Sequence, residues 1–471
     1  MKANISMRRN RISIILLAVF FFVFLGTEYL FDNCMMHVTD MDGVVRAQNY
    51  ALGVSAVGFF LYRSAAEFFV ARRIWISAIS SLLLFGIDII CVIGVLHHAG
   101  YMLTIYAGCI LFLNLGILGA WVHYRMAYML SDRTVLARCV GFAYAGGIIL
   151  QFLSNNLIHK TWIEACLLMV GCGVITLSLI AKREPACPDT DSRGEETPYP
   201  ISVCVMFAVI IFFMTIIFAT LDNTVTSAHA AGTVDIGQWP RLLLAVSGIA
   251  AGFLFDMRGR KWMHMIMYCV TLLSTICVIM IGFGGSFLVG LLVFYLSAGF
   301  FSVYFTAGFM ELSYHSAAPK LWAGFGRAVN NLCALVTLTF AGKVTSAGYG
   351  VMIAVVLLFV VISALLFAYQ NQLCAVQIDG ICMTEERPDQ KDWAETVDKF
   401  AAFSSEYALT DREQEVLQTL LSSDENVQDI AHTLGISRAA IYRHISNMNE
   451  KTETKARIGL IQFYYGWNPE K

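Results

Sequence analysis

Apolar residues fill the first 370 positions in long runs, separated by short polar turns. The runs lie near 12–31, 47–70, 74–96, 101–121, 135–156, 162–181, 200–221, 236–256, 262–282, 285–310, 321–341 and 349–369. A helix needs about 20 apolar residues to cross a bilayer, so the pattern predicts twelve transmembrane helices. The basic leader MKANISMRRNR runs into the first of them without a small-residue cleavage site, so that span is read as uncleaved. A polar insert at 182–199 divides the twelve into six and six, the pattern of two repeated halves, 1–181 and 200–370.

Beyond residue 370 the long runs stop and amphipathic spacing begins. The stretch 371–390 reads as a polar linker with Pro388, and Trp393, Val397, Phe400 and Phe403 then recur at helical spacing. Residues 371–408 are therefore assigned as linker and connecting helix. From 409 to 471 the elements are shorter. Thr410 and Glu413 form a T-x-x-E capping box ahead of Val416, Leu417, Leu420 and Leu421. Asn426 is placed to cap a second helix carrying Val427, Ile430, Ala431 and Leu434. Gly435 ends it, and Ser437 caps a third whose inner face is Ile441, Ile445 and Met448. In the pattern A-x3-G-x5-I, Ala431 lets two helices approach, Gly435 makes the turn and Ile441 anchors the second helix. That is helix-turn-helix geometry, in which the second helix enters the DNA major groove. A last helix with Ile458, Leu460, Ile461, Tyr464 and Tyr465 is read as a dimer face. The expected fold class is all-α throughout.

Composition agrees with a membrane protein: 58% of residues are hydrophobic and 14% charged, against about 25% charged in a soluble domain. Loops on the N-terminal side of the membrane would hold sixteen basic residues: Lys2, Arg8, Arg9, Arg11, Arg72, Arg73, Arg125, Arg133, Arg138, Lys182, Arg183, Arg193, Arg258, Arg260, Lys261 and Lys320. The opposite loops would hold three, Arg46, Lys160 and Lys343. This asymmetry predicts a multi-pass protein of the cell membrane with both termini in the cytoplasm. Within 409–471 there are seven Lys and Arg against nine Asp and Glu, a net of 7 − 9 = −2. Non-specific attraction to DNA is correspondingly weak, and homodimerisation through this domain is expected.

The C-terminal stretch, with L-T-x-R-E-x-E-V-L before the turn and H-I-x-N-M-x-x-K after it, closely resembles the LuxR/GerE-type domain of bacterial transcription regulators. The resemblance covers about 55 residues and implies binding to double-stranded promoter DNA. It places Tyr442, Arg443 and Ser446 at base-reading positions, and Arg438, Asn447 and Lys451 at phosphate or groove contacts. Where that family usually has Thr-Val-Lys, this chain has Ala440-Ile441-Tyr442, so one hydroxyl and one basic base-reader are absent. A second resemblance lies in GFLFDMRGRK, Gly252–Lys261, which is similar to the G-x-L-x-D-x-x-G-R-K loop of major facilitator superfamily transporters. It implies a conformational latch between the halves, built on Gly252, Asp256, Gly259, Arg260 and Lys261. The bland alternative is a basic turn that sets topology. The equivalent first-half stretch, 58–75, keeps Arg72 and Arg73 but has neither the aspartate nor the second glycine.

Charges inside spans are costly in lipid and face the protein interior. The ligand candidates are Glu28, Glu67, Asp88, Asp222, Arg241 and Glu311, with Arg63 and Arg327 also in spans. His123, Asn114, Asn155 and Asn156 are weaker, since bonding between helices accounts for them. The 13 cysteines are scattered without a CxxC pair or metal spacing, and no Walker loop, G-x-S-x-G or H-E-x-x-H motif occurs. Neither an enzyme, a metal nor a cofactor is expected. The expectation is a one-component regulator in which a small molecule acts through a transporter-like domain. The alternative is a transporter carrying a regulatory helix-turn-helix domain, and a third is that this domain has become a protein-interaction module.

Overall fold

The structure, a computed structural model, describes residues 2–70, 74–97, 100–130, 132–181, 199–230, 240–283, 285–344, 348–385, 399–422, 430–431 and 434–467. Two compact units emerge, Met1–Gln377 and Ile378–Lys471. No strand occurs among the described residues.

In the first unit the helices are α1 (Lys2–Met35), α2 (Met41–Val70), α3 (Ile74–Leu96), α4 (Tyr101–Met129), α5 (Leu136–Leu157) and α6 (Thr161–Ala181). The second half follows with α7 (Ile201–Ala230), α8 (Pro240–Phe255), α9 (Met263–Gly282), α10 (Phe287–Tyr314), the single turn α11 (Pro319–Trp322), α12 (Phe325–Val344) and α13 (Gly348–Glu385), whose residues from Ile378 onward belong to the second unit. Each predicted apolar run coincides with a helix. Among the described residues nine helices are long and apolar enough to cross a membrane, and α8 is a shorter apolar one. Helix α2 carries Arg46, Arg63 and Glu67, and α12 carries Arg327 and Lys343. Large apolar side chains such as Leu83, Ile90, Met102 and Phe367 are exposed on the outside of the bundle, where lipid tails take the place of water.

The halves meet along two seams, α2 against α12 and α5 against α8. The second seam depends on missing side chains. A Cβ at Gly252 would lie 2.8 Å from the Ala137 carbonyl oxygen and 2.9 Å from the Arg138 Cα, both of them backbone. Neither can give way cheaply. Gly252→Ala is therefore expected to cost about 1–3 kcal/mol, read as a lower unfolding temperature of the purified chain.

One sequence expectation fails here. Residues 371–385, assigned to a polar linker, continue the last helix. Their polarity removes them from lipid, but no proline interrupts them before Pro388, so the backbone ladder simply runs on.

The second unit contains α14 (399–406), α15 (Asp411–Ser422), α16 (Arg438–Lys451) and α17 (Ala456–Gly466). Trp393, Val397, Asn426 and Val427 lie outside the described residues, as does most of the central insert. Phe403, Leu417, Ile430, Ile441, Met448 and Leu460 close the core, with Tyr464 beside them. Leu460 and Tyr464 were expected on a dimer face, but they point inward. They fill the space against Phe403, whose ring meets Tyr464 edge-on at 5.1 Å. Among the described side chains of that predicted face, Ile461 is half-buried and Tyr465 is 63% exposed, and the side chain of Ile458 lies outside the described residues.

Candidate DNA-binding face, latch and interior polar cluster

In the C-terminal unit the start of α15 is tied on both sides. The Thr410 N–H donates to Glu413 Oε2 at 2.9 Å, and the Glu413 N–H to Thr410 Oγ1 at 3.4 Å. Gly435 sits at φ +63°, which a Cβ would strain, and makes the turn into α16. Ser437 then caps α16 by accepting from the Ala440 N–H at 3.2 Å. With Ile441, Ile445 and Met448 buried, the other side of α16 must be outward. Arg438, Tyr442, Arg443, Ser446 and Asn447 are all exposed there. Spacings of four place Arg438, Tyr442 and Ser446 in one row, and the Arg438 guanidinium lies 5.6 Å over the Tyr442 ring.

Lys451 differs from this group. Its ammonium donates to the Ala408 carbonyl at 2.8 Å and to Glu413 Oε2 at 2.6 Å. The amine expected at phosphate is spent inside the domain, on a carboxylate that is 3% exposed. Burial pushes the Glu413 carboxyl up, but the Lys451 and Thr410 hydrogen bonds outweigh it and hold the group below its ordinary value.

In the membrane unit the segment Gly252–Lys261 lies at one end of the bundle, where Arg133, Arg258, Arg260 and Lys261 gather positive charge. Asp256 is 5% exposed. Its carboxylate accepts the Ala137 N–H at 3.1 Å and the Arg138 N–H at 2.8 Å, the free donors in the first turn of α5. A residue of the second half thus caps a helix of the first. Arg138 Nε and Arg260 Nη1 lie 3.5 Å and 3.9 Å from the same carboxylate. Burial pushes the Asp256 carboxyl above its ordinary value, opposed by these N–H groups and then by Arg260 and Arg138. Arg260 also donates to the Arg133 carbonyl at 3.0 Å and pairs with Glu311 at 2.9 Å. Two tyrosines add ties between α4 and α10. Tyr128 donates to the Ser313 carbonyl at 3.0 Å, and Tyr314 to the Ala127 carbonyl. Lys261 is exposed, and Arg258, Gly259 and Arg260 all have positive φ, at 49°, 65° and 66°. Behind the latch is a cavity of about 210 Å³, lined by Tyr199, Lys261, His264, Glu311, His315 and Tyr369 among others.

The in-span charges separate into four groups. Glu67 is exposed and paired with Arg63 at 3.2 Å, near the end of α2. Asp88 is fully buried within the first half, accepting from Asn114 Nδ2 and, at 3.8 Å, from Cys172 Sγ, so it ties α3 to α4 and α6. Glu311 belongs to the latch. Glu28 and Arg241 come together with Arg327 in the interior, although 213 and 299 positions respectively separate the arginines from Glu28 along the chain (241 − 28 and 327 − 28). Gln48 donates to Glu28 at 2.8 Å, and the Arg241 guanidinium lies 5.2 Å over the Tyr29 ring. Asp222 is in α7, with its side chain outside the described residues.

Sequence reasoning missed Tyr29, Gln48 and Tyr144 in this cluster, and Tyr128, Ser313 and Tyr314 at the latch. Tyrosine in an apolar helix gives no local signal of its partner. Among the described residues no group of three or more His, Cys, Asp or Glu side chains could hold a metal ion.

Residues 407–464 match the family model described as "Bacterial regulatory proteins, luxR family". No curated protein matches the chain. The bundle is similar in fold to the E. coli fucose:proton symporter FucP (12% identity, 77% of this chain and 99% of that chain, TM-score 0.50). It is equally similar to the major facilitator superfamily proton:xylose symporter XylE (11% identity, 82% and 96%, TM-score 0.50). The human organic anion transporter MFSD10 is a third (12% identity, 78% and 99%, TM-score 0.50). At these identities the likeness establishes the fold alone. The chain therefore joins a LuxR-type helix-turn-helix domain, which implies DNA binding, to a bundle of the major facilitator fold, which implies a lipid bilayer.

Proposed function

We propose that this chain is a membrane-bound, non-catalytic, one-component transcription regulator, with a small molecule acting through the bundle and promoter DNA bound through α16. The observation that carries the reading is the exposed row Arg438, Tyr442, Arg443, Ser446 and Asn447, on a LuxR-type helix in a chain that also holds a transporter-like bundle. Arginine and asparagine offer paired donors to base edges, and phosphate contacts fix the register. Both termini lie on the cytoplasmic side in this reading, and two copies pair through the C-terminal domain on DNA. The ligand acts by preferring one state of the bundle over the other.

The test is promoter binding and transcript abundance, with and without Arg443→Ala. Loss of one base-reading arginine is expected to weaken specific binding about 5- to 150-fold while the fold is retained. Binding that is unchanged would remove α16 from DNA and favour a protein-interaction role. A second reading, a transporter with a regulatory domain, is favoured by the latch around Asp256. Uptake of a compound that depends on the chain, with transcripts that never respond, would select it.

A further inference from the structure

Arg327 is 6% exposed inside the bundle, and its Nε and Nη2 are buried without a hydrogen-bond partner. Its guanidinium carbon lies 5.4 Å over the Phe21 ring and 4.8 Å over the Phe305 ring, one from each half. Among the described residues no carboxylate oxygen comes within 4.0 Å of it. A buried charge left in this way is expensive. The two orphaned nitrogens are also not an arbitrary pair. Nε–H and Nη2–H run parallel along one edge of the guanidinium plane, the fork that matches the two oxygens of a carboxylate.

A second orphan lies against the same ring. His123 is 1% exposed, 6.2 Å from Phe21 centroid to centroid. Its Nδ1 is 2.7 Å from the Gly119 carbonyl, which can only accept, so Nδ1 holds the proton. Nε2 is then a bare acceptor, and it too has no partner. Tyr144 meets Phe21 edge-on at 5.2 Å and lies in the field of Arg327, Arg241 and Glu28. Around these polar atoms Phe20, Phe21, Phe59 and Phe305 are nearly fully buried, whereas Glu28, Tyr29, Gln48 and Arg241 are only half-buried. The cluster thus sets half-buried polar residues beside an apolar floor that holds two unsatisfied donors and one unsatisfied acceptor.

We propose that Arg327 is the anchor for the carboxylate of a small organic acid, with His123 Nε2 accepting from a hydroxyl or N–H of the same molecule. This deepens the sensor reading by naming the class of ligand, and the site itself rests only on the bundle. A planar carboxylate satisfies the fork with two parallel bonds. A tetrahedral oxyanion can also meet the fork with two oxygens, but inorganic phosphate brings no apolar part to lie on the phenylalanine floor, and an isosteric amide brings a donor against a donor.

The test uses the purified full-length chain in lipid nanodiscs, with lactate, benzoate and 2-hydroxybenzoate as probes. Their amides, inorganic phosphate and sodium chloride at equal ionic strength serve as controls, and the readout is a calorimetric titration. At least one carboxylate is expected to bind, with its amide and phosphate at least tenfold weaker. Arg327→Lys keeps the charge but loses the fork and is expected to weaken that carboxylate at least tenfold. His123→Ala is expected to weaken 2-hydroxybenzoate more than benzoate. An unchanged unliganded unfolding temperature certifies that each variant is folded. Carboxylate affinity that survives Arg327→Lys unchanged, equal binding of amide or phosphate, or no binding by any of the three acids would each overturn the proposal. Promoter affinity measured in the same samples separates the two ideas: a carboxylate that binds through Arg327 without moving promoter affinity leaves the site standing and removes the sensor.

Discussion

Replacing Asp256 by alanine is expected to free the first turn of α5. The Ala137 and Arg138 amides are satisfied by that one carboxylate across the interface between the halves. Each such bond to a charged acceptor is worth about 1.5–3 kcal/mol, so amide exchange there should accelerate roughly 10- to 150-fold. Hydrogen exchange followed by mass spectrometry on a peptide spanning 136–142 reads it directly. Asp256→Asn retains one acceptor and should fall between the two. Exchange that stays at the wild-type rate in Asp256→Ala would mean that α5 is held by its packing against α8 and not by the loop, and the latch would be reduced to a topology-setting turn.

The second large effect is in the small domain. Glu413 serves three partners at once: the Thr410 backbone, the Thr410 hydroxyl as return partner of the capping box, and Lys451. Glu413→Ala removes the acceptor of the Thr410 N–H while the backbone bond to the Thr410 hydroxyl remains, and it leaves the partly buried Lys451 ammonium with only the Ala408 carbonyl. The expected loss is about 2–4 kcal/mol, a large share of the stability of so small a core. Urea unfolding of a fragment spanning Ile378–Lys471 measures it. The pH dependence has a definite sign. The folded carboxyl is held below its ordinary value of 4.5, so its contribution is complete above about pH 4.5 and is lost as pH falls through the lower, folded value. Glu413→Gln should flatten that acid limb. An acid limb of unchanged slope in Glu413→Gln would show that other carboxylates set it.

Much of the architecture was legible before any coordinates. Runs of about 20 apolar residues have one outcome in lipid, and Gly435 followed by Ser437 announces a turn and a cap in local chemistry. What was not legible depends on distance along the chain. Lys451 had the right type and place for phosphate, yet its amine folds back on Glu413, 38 positions earlier (451 − 413). Leu460 and Tyr464 had the spacing of an exposed apolar face, but helical spacing shows that a face exists and not what covers it. Among the in-span charges, one criterion gathered residues of four different fates. Asp88 is locked among three helices of one half and Glu67 is exposed, while Glu311 holds the latch and Glu28 lies in the field of two arginines from the other half. Only tertiary packing sorts them.

The turn at Met257–Arg260 has a consequence for how easily the bundle changes state. Arg258 and Arg260 both sit in the left-handed region that disfavours a Cβ, at a cost of about 1–2 kcal/mol each. That energy is stored like the set spring of a mousetrap, and the Asp256, Glu311 and Arg133 contacts act as its catch. When the catch lets go, the backbone relaxes and returns part of what the broken bonds cost. Opening that end therefore costs less, by about that stored amount, than its hydrogen bonds and ion pairs alone would set. A gap of a few kcal/mol lies within reach of one ordinary ligand's preference for one state. Replacing Arg258 by glycine would unset the spring and leave the catch intact, so the same chain would close harder and respond less.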